Sequence, residues 1–189
     1  HKTGAVQVPV NKDEKGERLA YVINYSETKA LVVDQESLPY IEEIAGDLTN
    51  LEVIFHVSDS EDIPSDIGGI RTLPFSAFEN YSSENPGGEV TTQDVERCMF
   101  TSGTTGMPKG VSRNHGGVVL TVRGYIQQSA VRNEDILMSV LTLGHANAQV
   151  MALFTAIGAG ATAVFYPRVS ASNFWKWATE CGATHVNML

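Results

Sequence analysis

The run Val95-Glu96-Arg97-Cys98-Met99-Phe100-Thr101-Ser102-Gly103-Thr104-Thr105-Gly106-Met107-Pro108-Lys109-Gly110-Val111 decides how the rest of the chain is read. Its first seven residues suit a strand, and the remainder is a loop dense in small and hydroxylated residues. Between Thr101 and Gly110 stand three glycines, the hydroxyls of Thr101, Ser102, Thr104 and Thr105, and the cation Lys109. Glycine lets backbone N–H groups approach an anion closely. Hydroxyls donate to phosphate oxygens, and a lysine adds a mobile positive charge that can track them. Such a loop is suited to polyphosphate. The ordinary P-loop spacing is absent, because Lys109 lies between Pro108 and Gly110 and is not succeeded by Ser or Thr. The dinucleotide fingerprint is absent too. Composition alone also admits a flexible turn with a solvated lysine.

Working outward, apolar runs alternate with helical periods. Strands are expected at Val6–Val10, Ala30–Val33, Val53–Val57, Val95–Thr101, Asp135–Leu141, Ala161–Tyr166 and from Thr184. Helices are expected over Asp13–Ser26, from a Ser37 cap through Ile44, over Asn114–Ser129, over Ala146–Ile157 and from a Ser170 cap to Cys181. Gly158 and Gly160 stop the fourth of these. The alternation argues for right-handed crossovers and mostly parallel sheets, an α/β fold. Ser58 to Glu89 is weakly periodic and reads as a looping connection with a short helix near Phe75–Tyr81. The turn Asn85-Pro86-Gly87-Gly88 divides a first α/β subdomain, 1–89, from a second, 90–189, which opens with the phosphate-binding loop.

Composition narrows the function. Hydrophobic residues make up 42% and charged residues 19%, as in a globular protein. The net charge of −9 disfavours nucleic acid and anionic lipid as partners. No apolar run approaches the roughly 20 residues needed to span a bilayer. The two cysteines, Cys98 and Cys181, are far apart and read as reduced thiols in a cytoplasmic protein. No pair of histidines has metal-ligand spacing, so no dedicated protein metal site is expected.

Ser102-Gly103-Thr104-Thr105-Gly106-Met107-Pro108-Lys109-Gly110, with Thr101 ahead, is similar to the signature loop of the acyl-adenylate-forming superfamily of acyl-CoA synthetases, luciferases and peptide-synthetase adenylation domains. Lys2-Thr3-Gly4-Ala5-Val6-Gln7-Val8-Pro9 resembles an early segment of the same family, and Glu17–Tyr21 and Ala30–Asp34 fit the helix and strand after it. His145-Ala146-Asn147-Ala148-Gln149 and Val169–Trp175 look more like the crotonobetaine/carnitine-CoA ligase branch than the others. The resemblance implies part of the large N-terminal domain of an adenylate-forming enzyme. It implies a two-step reaction: a small carboxylic acid attacks ATP, held with Mg2+, to give acyl-adenylate and pyrophosphate, and coenzyme A then displaces AMP.

The resemblance also assigns residues. Thr101, Ser102, Gly103, Thr104, Thr105, Gly106 and Lys109 would hold the β- and γ-phosphates. His145 falls where acyl-CoA synthetases place a histidine beside the acyl pocket and the adenylate. Gly144 departs from the aromatic residue that often precedes it, and His145 equally suits a packing role at the start of the next helix. His115 reads as a helix-entry residue, and His56 and His185 as satisfied core histidines. Both ends of the chain read as cut, and the family's later motifs are not found between His1 and Leu189. The piece alone is therefore expected to be inactive. Two other readings stay open: a nucleotide-binding module without acid activation, and an assembly unit whose strand edges pair in a homodimer.

Overall fold

The computed structural model describes residues 2–58, 63–101 and 106–187. Helix α1, Gly16–Tyr25, turns Leu19, Ala20, Val22 and Ile23 inward, the spacing of one helical face. Strand β1, Ala30–Asp34, comes next, then helix α2, Leu38–Ile44, with a 3-10 turn at Ala45–Asp47. The Ser37 side chain, expected to cap α2, makes no capping bond. Instead the Asp34 carboxylate accepts the Ser37 N–H at 2.8 Å.

Strands β2 (Val53–Val57), β3 (Asp66–Ile67) and β4 (Ile70–Pro74) complete a sheet in the order β1-β2-β4-β3, parallel except for β3. Strand β4 lies inside the stretch expected to loop. Its four leading residues, Ile70-Arg71-Thr72-Leu73, are too few to show a period, yet Ile70 and Thr72 alternate inward and are buried. The short helix beyond it is a 3-10 helix, Phe75–Asn80. Val33 and Ile54 join Leu19, Ile23, Leu38, Ile41 and Ile44 in the larger core.

His56 shares the face of Ile54. It is 1% exposed, and neither ring nitrogen has a hydrogen-bond partner. It is a core histidine, as its apolar strand suggests, but not a satisfied one: its strand neighbours are Val33 and Pro74. His185 is satisfied, bonding Thr184 Oγ1 at 3.0 Å and the Ser129 carbonyl at 3.2 Å.

The second half begins with β5, Val95–Thr101, and β6, Lys109–Asn114, an antiparallel pair. The expected strand at Val6–Val10 contributes only one bridge, Gln7 to Arg97, through Gln7 N to Glu96 O (3.0 Å) and Cys98 N to Gln7 O (2.9 Å). Helix α3, His115–Gln128, is capped by the Asn114 side chain, which accepts the Gly117 N–H. Strand β7, Ile136–Ser139, leads to a π-helix, Ala148–Phe154, and then helix α4, Thr155–Ala159. Gly160 ends α4 in the left-handed region at φ 69°. Strand β8 (Thr162–Phe165), helix α5 (Phe174–Glu180) and strand β9 (His185–Asn187) finish the fold.

Asn173, not Ser170, is the residue before α5, and the Ser170 carbonyl accepts the Phe174 N–H at 2.9 Å. The last sheet is parallel, in the order β8-β7-β9. From β7 the chain crosses to one neighbour and then returns to the other. Right-handed crossovers place their helices on opposite faces, and the carboxyl end of β7 then lies at a topological switch point, where open α/β sheets bind ligands.

Candidate functional site

Two segments come together at one end of the β5–β6 pair: the end of β5 at Thr101, and the turn after β7. The loop closes a hairpin. Thr101 pairs with Lys109 in the ladder, and the Thr101 hydroxyl reaches the Lys109 carbonyl at 3.4 Å. Pro108 is fully buried, while Thr101, Gly106 and Lys109 are exposed. Ser102, Gly103, Thr104 and Thr105 lie outside the described residues.

This arrangement separates the loop from the strand–loop–helix of the ordinary P-loop. Six residues of β6 intervene before α3, a distance of roughly 20 Å. The first amides of α3 are already occupied. His115 N donates to Asp94 O at 3.1 Å, Gly116 N to Thr92 O at 2.8 Å and Gly117 N to Asn114 Oδ1 at 2.7 Å. The start of α3 is thus closed to an anion, and a phosphate would have to lie at the hairpin loop itself. The expected strand and helix are present, with β6 as an unexpected addition ahead of the helix. Its residues are almost all exposed, so no buried run marks it.

The hairpin is anchored by charge. Its register shifts between Val95 and Arg97, a bulge that sends Glu96 and the adjacent Arg97 both into the interior, 3% and 1% exposed. Arg97 Nε donates to Glu96 Oε2 at 2.5 Å, and Nη1 donates to Gln149 Oε1. The Arg97 guanidinium lies 4.8 Å from the Phe154 ring centre, a cation–π distance. Gln149 then donates to the Leu143 carbonyl at 2.6 Å. Sequence reasoning does not find this network. Its one trace is the pair of adjacent charges, Glu96 and Arg97, near the start of an otherwise apolar strand.

The turn after β7 carries His145. Its backbone N–H bonds the Thr142 carbonyl at 3.0 Å, and its own carbonyl accepts Gln149 N at 3.3 Å. Gly144 has a steric reason. A Cβ there would sit 3.2 Å from both Asn11 Cα and the Val10 carbonyl oxygen. The segment Pro9–Asn11 packs against this turn, so an aromatic residue at position 144 would crowd its backbone.

A cavity of about 340 Å3 opens between these pieces, lined by Pro9, Asn11, Thr101, Gly144, His145 and Asn147 among others. The structure therefore brings Thr101 and His145 to one cavity, with Lys109 across from Thr101 in the ladder. Glu14 also lines it, its charge met by Arg18 Nε at 2.8 Å. Among the described residues no group of three His, Cys, Asp or Glu side chains is placed to hold a metal ion. The cavity thus sets the Thr101 hydroxyl and the half-buried His145 imidazole against an apolar wall that includes Val22, Met99 and Phe100. No described helix is long and apolar enough to cross a membrane.

Known proteins resemble this chain in sequence and fold. Crotonobetaine/carnitine-CoA ligases of Salmonella typhi and Salmonella typhimurium are 32% identical over 187 residues, 97% of this chain. The chain spans only 35% of the length of those relatives. The structure of the anthranilate CoA ligase AuaEII, bound to anthranoyl-AMP, superposes with a TM-score of 0.87 at 26% identity, covering 98% of this chain and 35% of that one. A putative long-chain-fatty-acid CoA ligase from Rhodopseudomonas palustris shares the fold at a TM-score of 0.81 and 15% identity, covering 98% of this chain and 44% of that one. The family described as AMP-binding enzyme matches residues 1–189. The chain belongs to the AMP-binding enzyme family.

Proposed function

We propose that the protein carrying this chain is an ATP-dependent carboxylate–CoA ligase, and that this region contributes its phosphate-holding loop and one wall of its acid site. The observation that carries the reading is that Thr101, the ladder partner of Lys109, and His145 line one cavity. In this reading Thr101, Ser102, Thr104, Thr105 and Lys109, with the backbone of Gly103 and Gly106, hold the β- and γ-phosphates. Fixing them leaves the α-phosphate open to in-line attack, so the loop acts by positioning and charge. Mg2+ arrives with ATP, since its ligands are phosphate oxygens and waters more than protein groups.

His145 orients the carboxylate or the adenylate from the opposite side of the mouth. The Arg97–Gln149 link ties the turn that carries it to strand β5. Coenzyme A is the thiol that displaces AMP. The relatives are named for crotonobetaine and carnitine, and a small carboxylic acid is the corresponding substrate here. The unpaired thiols Cys98 and Cys181 suit a cytoplasmic setting. The edge strands β8 and β9 offer surfaces for a homodimer, which analytical ultracentrifugation across concentrations would reveal.

The test is thioester formation by the complete gene product with ATP, CoA and a panel of carboxylates. AMP and acyl-CoA should appear in equal amounts with at least one acid. ATP binding without AMP release for any acid would instead support a nucleotide-binding module.

A further inference from the structure

A second cavity, of about 170 Å3, adjoins the first and shares Met99, Thr101 and Ala146 with it. It lies under one face of the hairpin. By strand alternation Arg97, Met99 and Thr101 of β5 share that face with Lys109, Val111 and Arg113 of β6. Val118 of α3 and Val150 of the π-helix close the other side. The cavity is therefore an apolar slot with the phosphate-binding loop at one end. The Arg97–Arg113 pair stands at the other, about 13 Å along the strand.

Arg97 and Arg113 are directly opposed, and like charges across an antiparallel pair repel. Arg97 is buried and already takes Glu96 and Gln149. Arg113 is exposed, lines the cavity and has no ion-pair partner among the described residues. No carboxylate of the described residues lines the cavity.

Resting on the acid-activating reading above, we infer that this slot receives the chain of the acid and that Arg113 selects acids with a second anionic group at the far end, such as dicarboxylates. An anionic end gains charge-assisted hydrogen bonds from the guanidinium. A quaternary ammonium end has no donor or acceptor to offer and meets an uncompensated cation. The acid taken by this protein thus differs from the trimethylammonium acids named for its Salmonella relatives.

The experiment compares matched-length dicarboxylates, monocarboxylates and trimethylammonium acids with the complete gene product, by pyrophosphate exchange and by calorimetric binding. Wild type should favour the dicarboxylate over the trimethylammonium acid by about tenfold or more in kcat/KM and in affinity. Arg113→Ala should collapse that ratio, and Arg113→Glu should invert it. A wild-type preference for the trimethylammonium acid would overturn the inference. So would a ratio unmoved by both variants, an effect of the variants confined to the KM for CoA, or no binding of any acid. Absence of exchange with a retained calorimetric preference would sink the ligase reading and leave the Arg113 assignment standing.

Discussion

The Arg97 guanidinium on β5 donates to the side-chain oxygen of Gln149 in the π-helix, and Gln149 passes the connection on to the Leu143 carbonyl. Two side chains 52 positions apart thus fix strand β5, which leads into the Gly-rich segment, against the turn that presents His145. Both are 1% exposed, so neither can turn to water when its partner is lost.

Gln149→Leu keeps the apolar volume but leaves a buried guanidinium N–H unpaired. It should lower unfolding stability by about 2–4 kcal/mol. Adding Arg97→Met should cost less than the two single effects summed, because the second change removes the stranded group. Urea unfolding of the four proteins in the cycle measures both values.

Gly144→Phe would drive an aromatic ring into Val10 and Asn11, where even a Cβ lies at 3.2 Å. The variant should be destabilised by about 1–3 kcal/mol. It should also gain proteolytic sensitivity near residues 9–11, visible as an earlier cleavage product in limited digestion. Unchanged stability would mean that the two segments do not pack as described.

His56→Leu should raise stability by about 1 kcal/mol, since it removes two buried nitrogens without partners while keeping an apolar fit. Thermal unfolding at neutral pH is the measurement. A loss of stability would show that the imidazole makes a bond absent from this arrangement.

The Asp135 carboxyl is held below its ordinary value of 3.8, first by the Arg132 backbone N–H and then by the Thr184 hydroxyl, with His185 and Arg132 adding positive charge. A lowered folded value means that the ionised form stabilises the fold. That contribution is present above the ordinary value and disappears as pH falls through the lowered one. Asp135→Asn should therefore be less stable than wild type at neutral pH. The gap should narrow once pH drops below about 4. A gap that stays constant down to strongly acidic pH would contradict the assignment.

Much of the fold is legible in the sequence because its elements carry strong local patterns. Leu19, Val22 and Ile23 mark a helical face, and Ala30–Val33 is a parallel strand bounded by Asp34. The elements that escape lack such signals. Strand β6 is exposed along nearly its whole length and is held chiefly by pairing with β5. Strand β4 is too short to show a period. The helix expected from Ala146 to Ile157 winds as a π-helix through Ala148–Phe154 before becoming α4. In that stretch Gln149 is drawn to Arg97 and to Leu143, and no local pattern records those contacts. The family is legible at the loop, where residue chemistry is dense. It is not legible in Glu96, Arg97 and Gln149, whose roles depend on a bulge and on burial that only tertiary packing creates.

In the proposed ligase the Gly-rich loop would hold ATP phosphates for attack by a carboxylic acid, with Lys109 tracking the charge. The most direct measurement is acid-dependent pyrophosphate exchange by the complete gene product, wild type against Lys109→Ala. Exchange with at least one acid is expected, with a loss of about a hundredfold or more in the variant. Exchange in the variant within about twofold of wild type, far below any loss expected for a phosphate contact in the transition state, would contradict it.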